Sequence, residues 1–248
     1  MNTSTNQVVW DWHIWYHIIQ NHDTNAAHYG SIANNPQRIN INYNINSNGD
    51  FMHANGISYD TVKDVIYISV NYFSEVWVVD HSTTISEASS SLGGNYNKGG
   101  DLLYRFGNPS AYNNSAGTRI FYNNHFPNLL KTGVPGAGNM LVYSNLGPDG
   151  LEQSSVYEMM LPEPFSLLPN INNEPTIVWS FTDEDLFFSK ISGADRLLNG
   201  NTLICEGDFG MWEVTSDGEV VWKYESDVRV WRAYGHELGS SELDDIID

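Results

Sequence analysis

A threefold repeat is the feature of this chain that most limits how it can fold. In each copy an Asp or Asn opens an apolar strand, a second strand lies around a Glu, and a closing strand carries an aromatic residue. Such self-similarity indicates that one structural unit recurs along the chain. The copies are "DVIYISVNYFSEVWVVD" (64–80) with "DLLYRF" (101–106); "NMLVYSN" (139–145), "SSVYEMML" (154–161) and "TIVWSF" (176–181); and "NTLICEG" (201–207) with "GMWEVTSDGEVVWKYE" (210–225).

Repeats of about 60 to 75 residues with three or four antiparallel strands are typical of the blades of a β-propeller. The composition agrees, because 13% of the residues are aromatic and Gly and Pro interrupt the chain too often for long helices. The sequence therefore predicts an all-β fold, with one partial propeller domain at residues 1–236 and an acidic tail at residues 237–248. The closing-strand aromatics Tyr104, Trp179 and Trp222 are predicted to pack between neighbouring sheets.

The number of copies is too small to close a ring, since propellers have about four to eight blades. One further stretch, "QVVWDW" at residues 7–12, has the pattern of a closing strand but no copy ahead of it. Two arrangements remain open at this point. Either the other blades are missing from this chain, or two copies of the chain form a homodimer that completes the propeller.

Polar residues interrupt the segment that precedes each copy, in "HANGIS", "HFPNLL" and "SGADRL". The innermost strand of a propeller blade lines the central channel, so equivalent positions of successive blades converge there. We therefore expect His53, His125 and Ser192 to face one another although they are far apart in the sequence.

The charge of the chain limits its partners. Thirty acidic and eleven basic residues give a formal net charge of -19, so the average field repels nucleic acids and anionic membranes. We expect no nucleic-acid partner, and an anionic substrate would need a locally positive pocket. No apolar stretch is long enough to span a bilayer, and residues 1–7 lack the features of a signal peptide. The localisation stays open.

Several stretches together resemble the arylsulfotransferase (aryl-sulfate sulfotransferase) family. The resemblance covers nearly the whole chain, and its specificity lies in the joint occurrence of the pieces in this order. Those pieces are "VVWDWHIWYHIIQ" (8–20), "FMHANGISYD" (51–60), "FSEVWVVDHSTT" (73–84), "NKGGDLLYRFGNP" (97–109), "PGAGNMLVYSN" (135–145), "ISGADRLLNGNTLICEG" (191–207), "VVWKY" (220–224) and "VWRAY" (230–234).

The resemblance implies a six-bladed propeller, of which this chain holds about three to four blades. It also implies transfer of a sulfuryl group from an aryl sulfate to a phenol through a sulfated histidine, with no cofactor and no nucleotide sulfate donor. A neutral imidazole is a suitable nucleophile near neutral pH. By resemblance the roles fall to His125 as nucleophile, His53 and Asn55 as contacts to the sulfuryl oxygens, His17 at a supporting channel position, and Ser192 and Asn71 as substrate contacts.

Three positions depart from the family's pattern. Phe126 follows the expected nucleophile where the pattern has Asp, Asn71 stands where it has Arg, and Tyr16 precedes His17 where it has Asp. Loss of that Arg predicts a site without its permanent cation, at a cost of roughly two to four kcal/mol in transition-state stabilisation. The alternatives are therefore a non-catalytic propeller that binds a ligand or partner, and a fragment of a longer enzyme.

Other motifs in the chain are weaker. His13 and His17 have the spacing of neighbours on one helix face, but no Glu follows either of them as in H-E-x-x-H, so we expect no metal site. "GGNYNKGGD" (93–101) lacks the G-K-[ST] of a phosphate-binding loop. No G-x-S-x-G elbow supports a Ser-His-Asp hydrolase.

Overall fold

The structure is a computed structural model that describes residues 2–44 and 49–236. The predicted acidic tail, 237–248, lies outside the described residues. The chain is all-β, as predicted, and most of its strands form three antiparallel sheets of four strands each, with the strands of each sheet in sequence order. Each repeat in the sequence corresponds to one of these sheets.

The strands have the following bounds. A short parallel pair joins β1 (Ile18–Ile19) and β2 (Ile39–Asn40). The first sheet contains β3 (Ala54–Asp60), β4 (Val65–Val70), β5 (Glu75–Asp80) and β6 (Tyr104–Phe106). The second contains β7 (Asn124–Leu129), β8 (Met140–Ser144), β9 (Ser155–Met160) and β10 (Thr176–Phe181). The third contains β11 (Gly193–Arg196), β12 (Thr202–Glu206), β13 (Gly210–Val214) and β14 (Val220–Glu225).

Within residues 2–44 and 49–236, helical structure is limited to single turns. The α-helix α1 spans Ile85–Ala88, and 3-10 turns span Ile14–Tyr16, Asn71–Phe73, Pro109–Tyr112 and Pro148–Gly150. Among the described residues, no helix has the length and apolar character needed to cross a membrane.

The sheets pack face to face through two apolar layers. Tyr104 and Phe106 of the first sheet meet Val142 and Met159 of the second, all of them inaccessible to solvent. Leu141 and Tyr143 lie on the opposite face of the second sheet, and this face packs on the third sheet. The layer there consists of Leu141, Tyr143, Val156, Phe181, Ile204, Trp212 and Val214. Because successive side chains of a strand point to opposite faces, the strands of the second sheet contribute residues to both layers.

The three first strands lie side by side, with β7 in contact with both β3 and β11. The polar segments that precede the repeats are therefore strands themselves, and each repeat has four strands. This arrangement is compatible with a propeller-like fold.

The outer face of the first sheet is covered by the N-terminal segment (residues 2–43), including Trp12, Ile14 and Ile39 of β2, and not by a closing strand at residues 7–12. The predicted closing strand at residues 7–12 is wrong, because no strand forms there. Two indoles anchor this segment instead: Trp10 Nε1 donates to Thr83 Oγ1 over 3.0 Å, and Trp12 Nε1 donates to the Gly100 carbonyl over 2.7 Å. Side-chain hydrogen bonds to a loop thus replace the ladder that the alternation suggested.

The outer face of the third sheet differs, because no element among the described residues covers its aromatic residues. Trp222 is 45% exposed and Tyr224 is 51% exposed, and their rings stack with centroids 6.0 Å apart. The prediction that Trp222 packs between sheets is wrong here, whereas that for Tyr104 is confirmed. Trp179 is half-buried, beneath the Arg196 guanidinium.

Candidate functional site

The candidate site lies where the first strands of the three sheets begin. The residue directly before each of these strands is a non-glycine residue in the left-handed region: His53 with φ 51°, Asn123 with φ 59° and Ser192 with φ 82°. Such conformations are disfavoured for residues with a Cβ and persist only where surrounding contacts fix them. Backbone strain of this kind recurs at equivalent places of three sheets. Surrounding contacts therefore hold this end of the strands in a fixed conformation.

Two glycines allow these strand starts to touch. A Cβ on Gly193 would lie 2.5 Å from Cδ1 of Phe126, and one on Gly56 would lie 2.8 Å from Cδ of Pro127. Both distances are too short for any larger residue without movement of the neighbours. β3, β7 and β11 therefore meet at Phe126 and Pro127, next to His125.

His125 has the geometry of a neutral histidine with one nitrogen left free. Its Nδ1 lies 2.6 Å from Asn145 Oδ1. The orientation of that amide is determined, because Asn145 Nδ2 donates to the carbonyls of Phe188 and Ile191 over 2.8 and 2.9 Å. Nδ1 must therefore carry the proton, and the lone pair is on Nε2, for which no partner is found among the described residues.

The environment of His125 keeps the ring uncharged. Burial lowers its pKa to about 4, and the positive charge of Arg232 and the nearby ring of His53 act in the same direction, against the hydrogen bond to Asn145. The side chain is 6% exposed. The imidazole is thus neutral at any pH well above 4.

This pKa makes the stability of the fold depend on pH. An unfolded chain protonates His125 near pH 6.5, whereas the folded chain does so near pH 4. Between these values acidification favours unfolding, so the contribution is complete above pH 6.5 and is lost as the pH falls to 4. As the pH rises from 4 to 6.5, we expect the free energy of unfolding of the natural chain to increase by about 3 kcal/mol more than that of His125→Asn. Urea unfolding of both chains at several pH values measures it, and a constant difference would contradict it.

The amide side chains of Asn55 and Asn71 converge on one backbone carbonyl beside His125. Asn55 Nδ2 donates to the Asn124 carbonyl over 2.9 Å, and Asn71 Nδ2 does so over 3.2 Å. Asn71 Nδ2 also lies 3.5 Å from His125 Nδ1. Oδ1 of Asn55 is buried and has no partner among the described residues. The structure thus brings both predicted residues to the first strand of the second sheet.

His53 is more exposed than His125 and belongs to an acid-base pair. Its Nδ1 lies 2.5 Å from Asp50 Oδ2, and its backbone N–H donates to the other oxygen of that carboxylate over 2.9 Å. The hydrogen bond to His53 lowers the pKa of Asp50, and the His53 ring stacks on Tyr72. Asp50 was missed by the sequence reasoning, although an Asp three residues before a histidine was a readable signal.

Arg232 is the second residue that the sequence reasoning missed. Its guanidinium lies 4.6 Å from the centre of the Phe126 ring and donates to the Ser192 carbonyl over 2.6 Å. It also approaches the Asn55 carbonyl at 3.5 Å, and burial lowers its pKa. The expectation of a site without a permanent cation is therefore wrong: a residue of the C-terminal segment supplies a positive charge that Asn71 does not.

Two other predicted residues have structural surroundings. Ser192 is buried, and its hydroxyl accepts from the Gly207 N–H over 3.1 Å and donates to the Lys190 carbonyl. It shares Arg232 with the site through its carbonyl. The predicted contact of its hydroxyl with a substrate stays a prediction.

His17 lies elsewhere, and its predicted channel position is corrected. The ring is fully buried, with Nδ1 2.8 Å from Asp101 Oδ1 and Nε2 2.8 Å from the Ala88 carbonyl. It stacks on Trp12 at 5.7 Å between centroids. Both ring nitrogens are thus engaged, and they attach the N-terminal segment to the end of α1 and to the loop that follows it.

His13 and His17 do not share a helix face. Only a 3-10 turn, Ile14–Tyr16, lies between them, and the exposed His13 ring contacts Asp11. In residues 2–44 and 49–236, no group of three or more His, Cys, Asp or Glu side chains is placed to hold a metal ion.

No family model matches this chain, and no curated protein matches it either.

Proposed function

We propose that the chain transfers a sulfuryl group from an aryl sulfate to a phenol, with His125 as the nucleophile. The observation that carries this proposal is the state of the His125 ring: Asn145 fixes the proton on Nδ1, and burial keeps the ring neutral with its lone pair on Nε2. An activated nucleophile needs both an available lone pair and a group that orients it.

The proposed reaction has two steps. In the first, Nε2 of His125 attacks the sulfur of the aryl sulfate, an N–S bond forms, and the S–O bond breaks with its electron pair on the leaving phenolate. In the second, an acceptor phenol attacks the same sulfur, and the N–S bond breaks with its pair returning to Nε2. One phenol thus replaces another, and no nucleotide or metal takes part.

The proposed charge stabilisation rests on Arg232 and the amides of Asn55 and Asn71. The transferring sulfuryl group is anionic, and hydrogen-bond donors placed beforehand around such a group are often the largest contribution to catalysis. The guanidinium is held against the Phe126 ring and three backbone carbonyls, those of Ser192, Trp231 and Asn55. Because the chain has a net charge of -19, its average field repels an anionic substrate, and a fixed positive charge at the site opposes that repulsion.

The proton transfers are assigned to the His53–Asp50 pair. With Nδ1–H held by Asp50, Nε2 of His53 is the nitrogen that exchanges a proton with the substrate. It protonates the leaving phenolate in the first step and takes the proton of the acceptor phenol in the second. The half-exposed position of the ring suits a group that must reach solvent-borne phenols.

The test replaces the nucleophile. His125→Asn is expected to lower the rate of phenol release from 4-nitrophenyl sulfate, with a second phenol as acceptor, by at least about 10³-fold. His81→Asn is the matched control, because His81 contacts Asp64, Trp10 and Tyr59 away from the site. Acid-labile sulfation of the natural chain at His125, seen by mass spectrometry under quenched conditions, should disappear in His125→Asn. Transfer that survives in His125→Asn would overturn the assignment.

The architecture is part of the same proposal. We infer that the three sheets are blades of a six-bladed propeller and that the exposed Trp222 and Tyr224 face is where a further blade packs, supplied by a second copy of the chain. The Trp222 and Tyr224 rings stack as rings in a protein interior do, although they lie on an exposed face. An exposed apolar face of this kind supports the inference. The mass of the active species, measured in solution on the assayed sample, distinguishes a dimer from a monomer.

A second candidate function is a propeller that binds aryl sulfates without turnover. Phe126 favours it, since an apolar ring in contact with Arg232 and Tyr234 follows His125, which is only 6% exposed. Stoichiometric binding of 4-nitrophenyl sulfate with neither phenol release nor sulfated His125 would establish this function in place of the first.

A further inference from the structure

A separate cavity lies beside the seam between the first and second sheets. It has a volume of about 430 Å³, which is within the range of small-molecule sites. It opens at the end of the second sheet where β7 begins and β8 ends, the same end as His125, but it does not include that residue. The walls are residues 118–120 and 122, residues 146–148, 151 and 153, β9 at 155 and 157, and β10 at 177 with its flanking residues 172, 174, 175 and 182.

One wall carries a positively charged group with a free face. The Arg119 guanidinium lies 4.2 Å from the centre of the Tyr122 ring. Its Nε donates to the Phe121 carbonyl over 2.7 Å, and its Nη2 donates to Ser74 Oγ over 2.8 Å. No partner of Nη1 is found among the described residues, so the guanidinium is oriented by the protein and retains donor capacity for an anion.

A carboxyl group in the opposite wall is kept uncharged. Burial raises the pKa of Glu174 to about 8, and the nearby Glu75 adds to this, whereas the Gly107 N–H and Arg105 oppose it. Glu174 Oε2 accepts from the Gly107 N–H over 2.6 Å, and Oε1 is buried with no partner among the described residues. This raised pKa favours the uncharged form of Glu174 at neutral pH, so Arg119 determines the sign of the charge in the cavity.

The remaining lining combines apolar and aromatic residues with five polar ones, Thr118, Gln153, Ser155, Asn172 and Thr182. Tyr122 and Tyr157 present rings, while Leu151 and Ile177 are apolar and partly exposed, at 56% and 44%. Exposed apolar residues that rim a concave site are a feature of ligand pockets. An aromatic ligand would cover these apolar surfaces without burying a charged side chain.

We propose that this cavity binds a small aromatic carboxylate, with the ring between the tyrosines and the aliphatic rim and the carboxylate at Arg119. The carboxylate accepts a hydrogen bond from Nη1, and the ring removes Ile177 and Leu151 from water. The neutral Glu174 does not repel the anion. This binding site is separate from the site of sulfuryl transfer and does not depend on the proposed function.

The test is a calorimetric titration at pH 7 with benzoate, which has no phenolic hydroxyl and so is no acceptor at the His125 site. We expect one site in the natural chain, and a dissociation constant raised at least about tenfold in Ile177→Glu, which places a negative charge beside the ligand. The matched control is Val178→Glu, because Val178 is the next residue of β10, is similarly exposed at 48% and does not line the cavity. Val178→Glu is expected to bind like the natural chain.

Two further variants and an uncharged ligand test where the carboxylate and the ring bind. Arg119→Met should abolish binding, and benzyl alcohol, which lacks the anion, should bind at least about tenfold more weakly than the carboxylate. His125→Asn should bind like the natural chain, because the cavity does not include His125. Absence of binding in the natural chain, equal weakening by the two β10 variants, or loss of binding in His125→Asn would each overturn the proposal.

Discussion

Replacement of Arg105 by Met is expected to lower the free energy of unfolding by about 3 to 5 kcal/mol. Arg105 and Glu75 are both inaccessible to solvent. Arg105 Nε donates to Glu75 Oε1 over 2.9 Å, and Nη2 donates to Oε2. The guanidinium also lies 4.7 Å from the centre of the Tyr112 ring. Methionine fills much of the same volume but leaves the Glu75 carboxylate buried without its partner, and this uncompensated charge causes the loss.

Urea unfolding followed by tryptophan fluorescence measures this loss. The matched control is Arg229→Met, whose guanidinium is 70% exposed and 3.5 Å from Asp208; an exposed pair of this kind contributes less than about 1 kcal/mol. Combining Arg105→Met with Glu75→Leu should recover part of the stability, because no buried charge is then left alone. A loss in Arg105→Met no larger than in Arg229→Met would show that the buried pair does not stabilise the first sheet.

Arg232→Met is expected to lower the rate of sulfuryl transfer by about 10²- to 10³-fold with little effect on the fold. The guanidinium is the positive charge at the site, and Met retains the apolar part of its contact with the Phe126 ring. The rate of phenol release from 4-nitrophenyl sulfate measures the effect, and circular dichroism checks the fold. Arg232→Lys keeps the charge but not the planar contact, so we expect it to recover part of the rate.

Arg229→Met is the control for this variant as well, because Arg229 lies three residues earlier in the same segment and contacts Phe188 and Asp208 instead. Its transfer rate should equal that of the natural chain. If Arg232→Met also transferred at the natural rate, the anion would have to be stabilised by the amides of Asn55 and Asn71 alone.

The repeated sheets were predictable from the sequence because local patterns determine them. Alternation of apolar residues fixes which face of a strand is buried, and turn residues such as "SDG" end one strand and start the next. From the repeat we expected His53, His125 and Ser192 to face one another, whereas Asn55 entered only through the family resemblance. The contact of β7 with β3 and β11 followed from the repeat, since equivalent strand starts of neighbouring sheets meet.

The remaining features depend on contacts that a local pattern does not reveal. Arg232 lies in a segment with no regular structure, and it is positioned by carbonyls of Ser192 and Asn55. His17 has residue types beside it that suit a functional histidine, but a loop carbonyl and Asp101 occupy both its nitrogens. Trp222 has the pattern of a core residue, but the alternation does not reveal whether another sheet covers it.

The contact between Arg232 and the Asn55 carbonyl joins residues 177 positions apart. A ribosome makes the strands of the first sheet long before the residues that supply the cation, and contacts of such high sequence separation form late because a long loop must close first. The three sheets can therefore dock while the candidate site is still open on one side. During synthesis, the nascent chain acquires this charge only after its C-terminal segment has emerged.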